Sequence, residues 1–196
     1  RLNKEVSTMS GLQYLDPDSV ITLRREPVDP DTYGAVVDMV DAVREGGFEK
    51  LIELGKRFGD ITDDSKVLYN REDLAQALQG ISDEDRGVLE RTASRIEQFA
   101  QGQRDSLSSF EMAIPGGRAG HQLAPVTRAG CYAPGGRFPL PSTVLMTVIT
   151  ARVAGVREVV VASPKPTAIT LAAAAVAGAD QLIAIGGAQV VGALTF

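Results

Sequence analysis

Residues 130–146 read GCYAPGGRFPLPSTVLM, and this stretch determines how the second half of the chain is interpreted. An apolar strand ending near Tyr132 leads into a loop of prolines and glycines, and a helix follows from about Ser142. Gly135 and Gly136 let backbone N–H groups approach a ligand closely, and the first turn of a helix presents unpaired amides to the same place. The stretch is therefore typical of α/β proteins that bind an anionic group, although many such turns bind nothing.

Further strands and helices alternate after this stretch. We predict strands at 126–133, 158–162 and 181–185, helices at 142–154 and from Pro166 to Gly178, and a last helix after Gly186–Gly187. Ser142 is expected to cap the first of these helices. Because β-α-β connections are short and right-handed, the three strands are expected to be parallel, with their strand-to-helix loops at one edge of the sheet. Ligands of open α/β sheets bind at that edge.

The first 122 residues have a different character. Residues 1–30 hold few periodic apolar positions and are interpreted as an arm, whereas residues 31–122 are expected to be mainly helical. In that region we predict a helix capped by Asp31 and ending at Gly46–Gly47, a second helix directly after it, a brief helix over 71–79 and a long helix capped by Ser82. We predict that residues 123–196 form a Rossmann-like nucleotide-binding region, and we expect this region to be truncated at Phe196. The predicted fold is thus α/β: an N-terminal helical region followed by an incomplete Rossmann-like parallel sheet with flanking helices.

Composition restricts the function classes. The 196 residues are 44% hydrophobic, which is enough for a globular core, and the formal charge of -5 argues against a nucleic-acid partner. Cys131 is the only cysteine, so one chain can form neither a disulfide framework nor a Cys-rich zinc site. The most apolar stretch, 168–194, is interrupted by Asp180 and by glycines, so we expect it in a protein core and not in a membrane. We predict a soluble, cytoplasmic protein.

His121 is the only histidine. A histidine base together with histidine metal ligands therefore cannot be assembled from this chain alone. We interpret His121 as a partly exposed polar residue, and we predict neither a catalytic residue nor a metal ligand within the chain.

Several motifs resemble those of the histidinol dehydrogenase family, and they occur in the family's order. They are GCYAPGG at 130–136, PSTVLM at 141–146, AGV at 154–156, and GGAQ at 186–189 followed by AL at 193–194. The segment from Leu23 to Phe99 also resembles the family, more loosely. It departs from the family's pattern at Gly47, where an Asp is typical.

The resemblance implies an NAD-dependent zinc enzyme, a cytoplasmic homodimer in its full-length form, that oxidises the small amino alcohol L-histidinol to L-histidine in two hydride-transfer steps. It implies that Tyr132 and Gln189 contact the dinucleotide, that Gly135 and Gly136 allow close backbone approach, and that Ser163 lies toward the adenosine. Two alternatives stay open: Tyr132 could be a core aromatic, and Gln189 could be a surface residue.

The family's zinc ligands and its Glu-His acid/base pair correspond to sequence beyond Phe196. The chain alone is therefore expected to be inactive and to bind NAD weakly if at all. Two other functions stay open: a paralogous NAD-dependent dehydrogenase of the same fold acting on another alcohol, such as a sulfonated diol, or a non-catalytic nucleotide-binding or dimerisation module.

Overall fold

The computed structural model of the chain describes Asp16 and residues 28–135 and 138–196. Two compact units are distinguished, Arg1–Ala35 and Val36–Phe196. The predicted arm lies outside the described residues except for Asp16 and its last three positions. In the first unit the predicted cap Asp31 is wrong, because Thr32 N–H donates to Asp29 Oδ1 at 2.9 Å and the helix begins at Pro30.

The described residues form six strands and six helical elements, the first of which is interrupted at Gly47, where the backbone is not helical (φ 60, ψ -146). The predicted helix end at Gly46–Gly47, with a second helix directly after it, is thus confirmed. In chain order the elements are α1 (Pro30–Arg57), β1 (Leu68–Tyr69), α2 (Arg71–Gln79), α3 (Asp83–Asp105), β2 (Phe110–Ile114), β3 (Gly117–His121), β4 (Arg128–Tyr132), α4 (Pro141–Val153), β5 (Glu158–Ala162), α5 (Ala168–Ala177), β6 (Gln181–Ile183) and α6 (Gly187–Thr195). No helix among these is both long and apolar enough to span a membrane. The predicted order of strands and helices after residue 126 is confirmed.

The main sheet has four strands in the order β1-β6-β5-β4. The last three are parallel, as predicted, with Cys131 opposite Val161 and Val161 opposite Leu182. The two-residue strand β1 adds an antiparallel edge that the sequence did not predict, with Leu68 opposite Ile183.

Both faces of this sheet are covered, which explains why β5 is apolar at four consecutive positions. A first core cluster joins one face to α2, α3, α4 and α5; its buried members include Leu74, Leu89, Cys131, Val161 and Leu182. A second core cluster covers the other face; its buried members are Leu51, Ile61, Ala162, Ile185 and Val190, from α1, α6 and the segments beside them. Side chains alternate between the two faces along each strand, so neighbours in sequence belong to different clusters.

Several helix ends differ from the predictions. Ser142 does not cap α4, because the helix begins at Pro141 and none of the described side chains bonds its first amides. Proline fits there because it has no N–H to satisfy. Pro166 lies before α5, which has Thr167 as its N-cap residue. The predicted end of α5 at Gly178 is confirmed, with φ 80 in the left-handed region.

The hairpin of β2 and β3 lies within the region that we predicted to be mainly helical. Pro115 and Gly116 form its turn, and Gly116 has φ 85. Its apolar side chains Phe110, Met112 and Ile114 are all exposed. The division of the chain at residue 122 stays a prediction.

Candidate functional site at the carboxyl edge of the sheet

The loops that follow the three parallel strands meet at Pro164. A Cβ atom added at Gly135, in the loop after β4, would lie 2.5 Å from Pro164 Cγ. A Cβ added at Gly186, in the loop after β6, would lie 2.8 Å from the same atom. Glycine is therefore required at both positions for the loops to pack against each other. The prediction that the three loops emerge together is confirmed.

A cleft of about 370 Å³ lies at this edge. Its volume is within the usual range for small-molecule sites. Part of its lining is apolar, with Phe138 and several prolines, and Phe138 is 70% exposed. The rest is polar: the hydroxyl side chains Ser163, Thr167 and Thr170, the ammonium group of Lys165 and the carboxylate of Asp60. Such a cleft can hold a planar ring beside hydroxyl and phosphate groups.

The loop after β5 contributes most of these polar groups. Ser163 is only 4% exposed, its N–H donates to Ile183 O at 3.0 Å, and its side chain borders the cleft. Lys165 has φ 45, which is unusual for a residue other than glycine and more so before a proline. Backbone strain of this kind costs about 1–3 kcal/mol and occurs frequently at functional sites.

Tyr132 and Gln189 meet at Gly187, in the first turn of α6. Gly187 N–H donates to the Tyr132 hydroxyl at 3.2 Å. A Cβ at Gly187 would overlap with Gln189 Oε1, so the glutamine side chain lies over the Gly187 backbone, which has φ 73. The alternative that Gln189 is a surface residue is wrong, since it is only 3% exposed. The Tyr132 ring packs against the second core cluster while its hydroxyl reaches this turn.

The predicted site residues thus form two groups. Gly135 and Ser163 border the cleft, whereas Tyr132 and Gln189 do not line it and lie at the Gly187 turn. Gly136 is outside the described residues. Their roles in binding stay predictions.

Asp60 is a member of this edge that sequence reasoning missed. It lies in the loop after α1, and its Oδ2 accepts a hydrogen bond from Gly186 N–H at 2.9 Å. The two residues are 126 positions apart, so no local pattern could indicate the contact.

The side chains of the types that usually hold metals, His, Cys, Asp and Glu, do not form a cluster among the described residues. Within residues 28–135 and 138–196, no group of three or more His, Cys, Asp and Glu side chains lies close enough to hold a metal ion. His121 is exposed, and its Nε2 lies 3.1 Å from the Ser108 carbonyl oxygen. Cys131 is buried in the first core cluster, and burial raises the pKa of its thiol. The thiol is therefore protonated at neutral pH and is a poor nucleophile.

Comparisons with known proteins agree with this geometry. The family model for histidinol dehydrogenase matches residues 23–196. The histidinol dehydrogenase of Pseudomonas savastanoi pv. phaseolicola is 40% identical over 167 residues, which cover 82% of this chain and 37% of that protein. The histidinol dehydrogenase of Methanothermobacter thermautotrophicus is 39% identical over 172 residues, covering 85% of this chain and 40% of that protein.

A solved structure is also similar. The crystal structure of histidinol dehydrogenase from Elizabethkingia anophelis has a TM-score of 0.75 and 25% identity, and the match covers 93% of this chain and 43% of that one. The chain therefore spans less than half the length of the relatives that it matches.

Proposed function

Because this chain belongs to the histidinol dehydrogenase family, we propose that it supplies the dinucleotide-binding part of an enzyme that oxidises L-histidinol to L-histidine with NAD. The observation that carries the proposal is the meeting of three strand-to-helix loops at Pro164, beside a cleft with both apolar and polar walls. This is the edge at which open α/β sheets bind nucleotides.

The groups around the cleft fit the parts of a dinucleotide. Phe138 offers an aromatic face for the adenine ring. The hydroxyl groups of Ser163 and Thr167 can exchange hydrogen bonds with ribose. The Thr167 side chain does not bond the first amides of α5, so these amides and the Lys165 ammonium are suited to the pyrophosphate.

In this proposal the Gly187 turn forms the other end of the dinucleotide site. Tyr132 and Gln189 together fix this turn, and the Gln189 amide can bond ribose or phosphate oxygens. NAD, when bound, accepts the hydride that leaves the alcohol carbon. The residues of this chain bind and orient the dinucleotide in this proposal, and they do not transfer protons.

The remaining parts of the proposal rest on the family resemblance. Zinc is bound by residues outside this chain, which is in keeping with a single histidine and a single cysteine in its composition. The substrate is a small amino alcohol, and the enzyme is a cytoplasmic homodimer. The acid/base groups also come from outside this chain.

A chimera tests the proposal. Residues 23–196 would replace the matching segment of the Pseudomonas savastanoi relative, and circular dichroism would verify that the chimera folds. With NAD and zinc, the chimera should bind NAD and oxidise L-histidinol. A folded chimera that binds no dinucleotide would contradict the proposal.

A further inference from the structure

Asp60 is held rigidly against the loop after β6. Gly55 lies in α1 without a side chain, and a Cβ there would be 2.9 Å from Ile185 Cδ1, so the end of the helix packs directly on this loop. Asp60 N–H donates to Gly55 O at 2.9 Å, and the next residue, Ile61, is buried in the second core cluster. These contacts fix the backbone of Asp60 on both sides, so its carboxylate has a defined place at the edge of the cleft.

The two oxygens of this carboxylate have different surroundings. Oδ2 accepts a hydrogen bond from Gly186 N–H. Oδ1 has no hydrogen-bond donor among the residues that the structure describes, although Asp60 borders the cleft. The nearby Lys56 is engaged elsewhere, with its Nζ 2.6 Å from Asp63 Oδ1. Oδ1 is therefore an acceptor that no described residue uses. It belongs to a carboxylate that borders the cleft and has no ion-pair partner among the described residues.

The geometry points to Asp60 as the residue that determines coenzyme specificity at this site, an inference that rests on the proposed dinucleotide function. Asp60 holds the Gly186–Gly187 turn through one oxygen and accepts a ribose hydroxyl through the other. A dinucleotide with a phosphate on that ribose lacks the hydroxyl and brings a second negative charge to the carboxylate. The site therefore accepts NAD and rejects NADP, since acidic side chains discriminate in this way at ribose hydroxyls.

Lys165 does not reverse this preference. It is the other charged side chain among the described residues that line the cleft, and its ammonium suits the pyrophosphate. Both dinucleotides carry the same pyrophosphate, so Lys165 contributes equally to the binding of each.

Titrations of the ¹⁵N-labelled chain with NAD and with NADP, followed by amide chemical shifts, test the inference. The unmodified chain should bind NAD at least about tenfold more tightly than NADP. Asp60→Asn keeps an oxygen that can accept from Gly186 N–H but removes the charge. It should bring the two dissociation constants to within about threefold of each other, mainly by tightening NADP binding.

Two further variants separate charge from positioning. Asp60→Ala removes both the charge and the acceptor, so it should shift the Gly186 amide resonance and weaken the binding of both dinucleotides. Asp63→Asn is the matched control, because it removes an exposed carboxylate three residues away that does not line the cleft. It should leave the preference for NAD unchanged.

The outcomes distinguish this inference from the proposed function. Equal binding of NAD and NADP by the unmodified chain would overturn the inference alone, as would an unchanged preference in Asp60→Asn. If the chain alone binds neither dinucleotide, the same titrations are made with the chimera, and a folded chimera that binds neither would overturn the proposed function and this inference with it.

Discussion

Asp180, in the loop before β6, joins three elements of the fold through one carboxylate. Its Oδ2 accepts from Val159 N–H at 2.6 Å and from Arg152 Nη2 at 2.7 Å, and its Oδ1 accepts from Arg71 Nε at 2.9 Å. Burial acts to raise the pKa of this carboxyl, but the bonds from Val159, Arg71 and Arg152 together outweigh burial and keep the pKa below its ordinary value. The ionised form is therefore stabilised by folding.

Asp180→Asn should lower the free energy of unfolding by about 2 kcal/mol at neutral pH, because hydrogen bonds to charged groups contribute that much. A carboxyl with a lowered pKa stabilises the fold above its unfolded pKa of about 3.9, and this contribution is lost as the pH falls through the folded value. The difference between the two proteins should therefore shrink below about pH 4. Urea unfolding at several pH values measures it. Glu158→Gln, which breaks an exposed ion pair with Arg128, is the control and should cost at most about 1 kcal/mol.

Tyr132 and Gln189 allow a prediction about binding at the same scale. In the chimera, Tyr132→Ala and Gln189→Ala should mainly raise the KM for NAD and leave kcat nearly unchanged. Tyr132→Phe keeps the ring in the second core cluster but removes the hydroxyl that accepts from Gly187 N–H, so it should raise that KM about fivefold. Tyr69→Phe, on the opposite edge strand, serves as the control. Unchanged NAD kinetics in all of the site variants would remove Tyr132 and Gln189 from the site.

At the scale of the element, the glycines that end two of the helices give a matched pair of predictions about stability. Gly178 ends α5 with φ 80, and the nearest atom to an added Cβ is 3.9 Å away, so alanine there would be strained by conformation alone. Gly178→Ala should cost about 1–2 kcal/mol of unfolding free energy. Gly80 ends α2 with φ -84, and an added Cβ would make ordinary contacts at 3.5 Å. Gly80→Ala should be neutral or stabilise by up to about 1 kcal/mol, and thermal unfolding would show whether the two variants differ in this direction.

Sequence patterns predicted the elements whose signals are local. The apolar run of β5 and the helix α2 were predicted with their observed bounds, and Ser82 caps α3 by accepting from Asp85 N–H at 3.0 Å. Strand β1 could not be assigned to the sheet, because its pairing of Leu68 with Ile183 joins distant parts of the chain. The Pro115–Gly116 turn was a usable signal for the hairpin, since proline followed by glycine with positive φ is typical of a tight turn.

The site was predictable only in part, because some of its features have local sequence signals and others depend on contacts between distant residues. The glycines and strand ends of the three loops have local signals, which predict that the loops share one edge; the choice of Tyr132 and Gln189 as dinucleotide contacts depends on the family resemblance. The packing of Gly135 and Gly186 on Pro164 and the reach of Asp60 to Gly186 depend on the tertiary fold. Sequence reasoning therefore located the edge but not the side chains that complete it.

At the scale of the whole molecule, the amino and carboxyl ends of the parallel strands have different roles. The amino edge is held together by the contacts of Asp180, and the carboxyl edge carries the cleft and the Gly187 turn. The chain belongs to the histidinol dehydrogenase family but spans 37% of the Pseudomonas savastanoi relative. Dinucleotide binding is thus the part of the proposed function to which this chain would contribute.

The most direct test is a crystal structure of the chimera grown with millimolar NAD. The account predicts the adenosine half of NAD in the cleft, beside Phe138 and Ser163, with the rest of the dinucleotide directed toward the Gly187 turn. NAD bound instead at the amino edge near Asp180, or a carboxyl edge that stays free of dinucleotide at saturating concentration, would contradict the account.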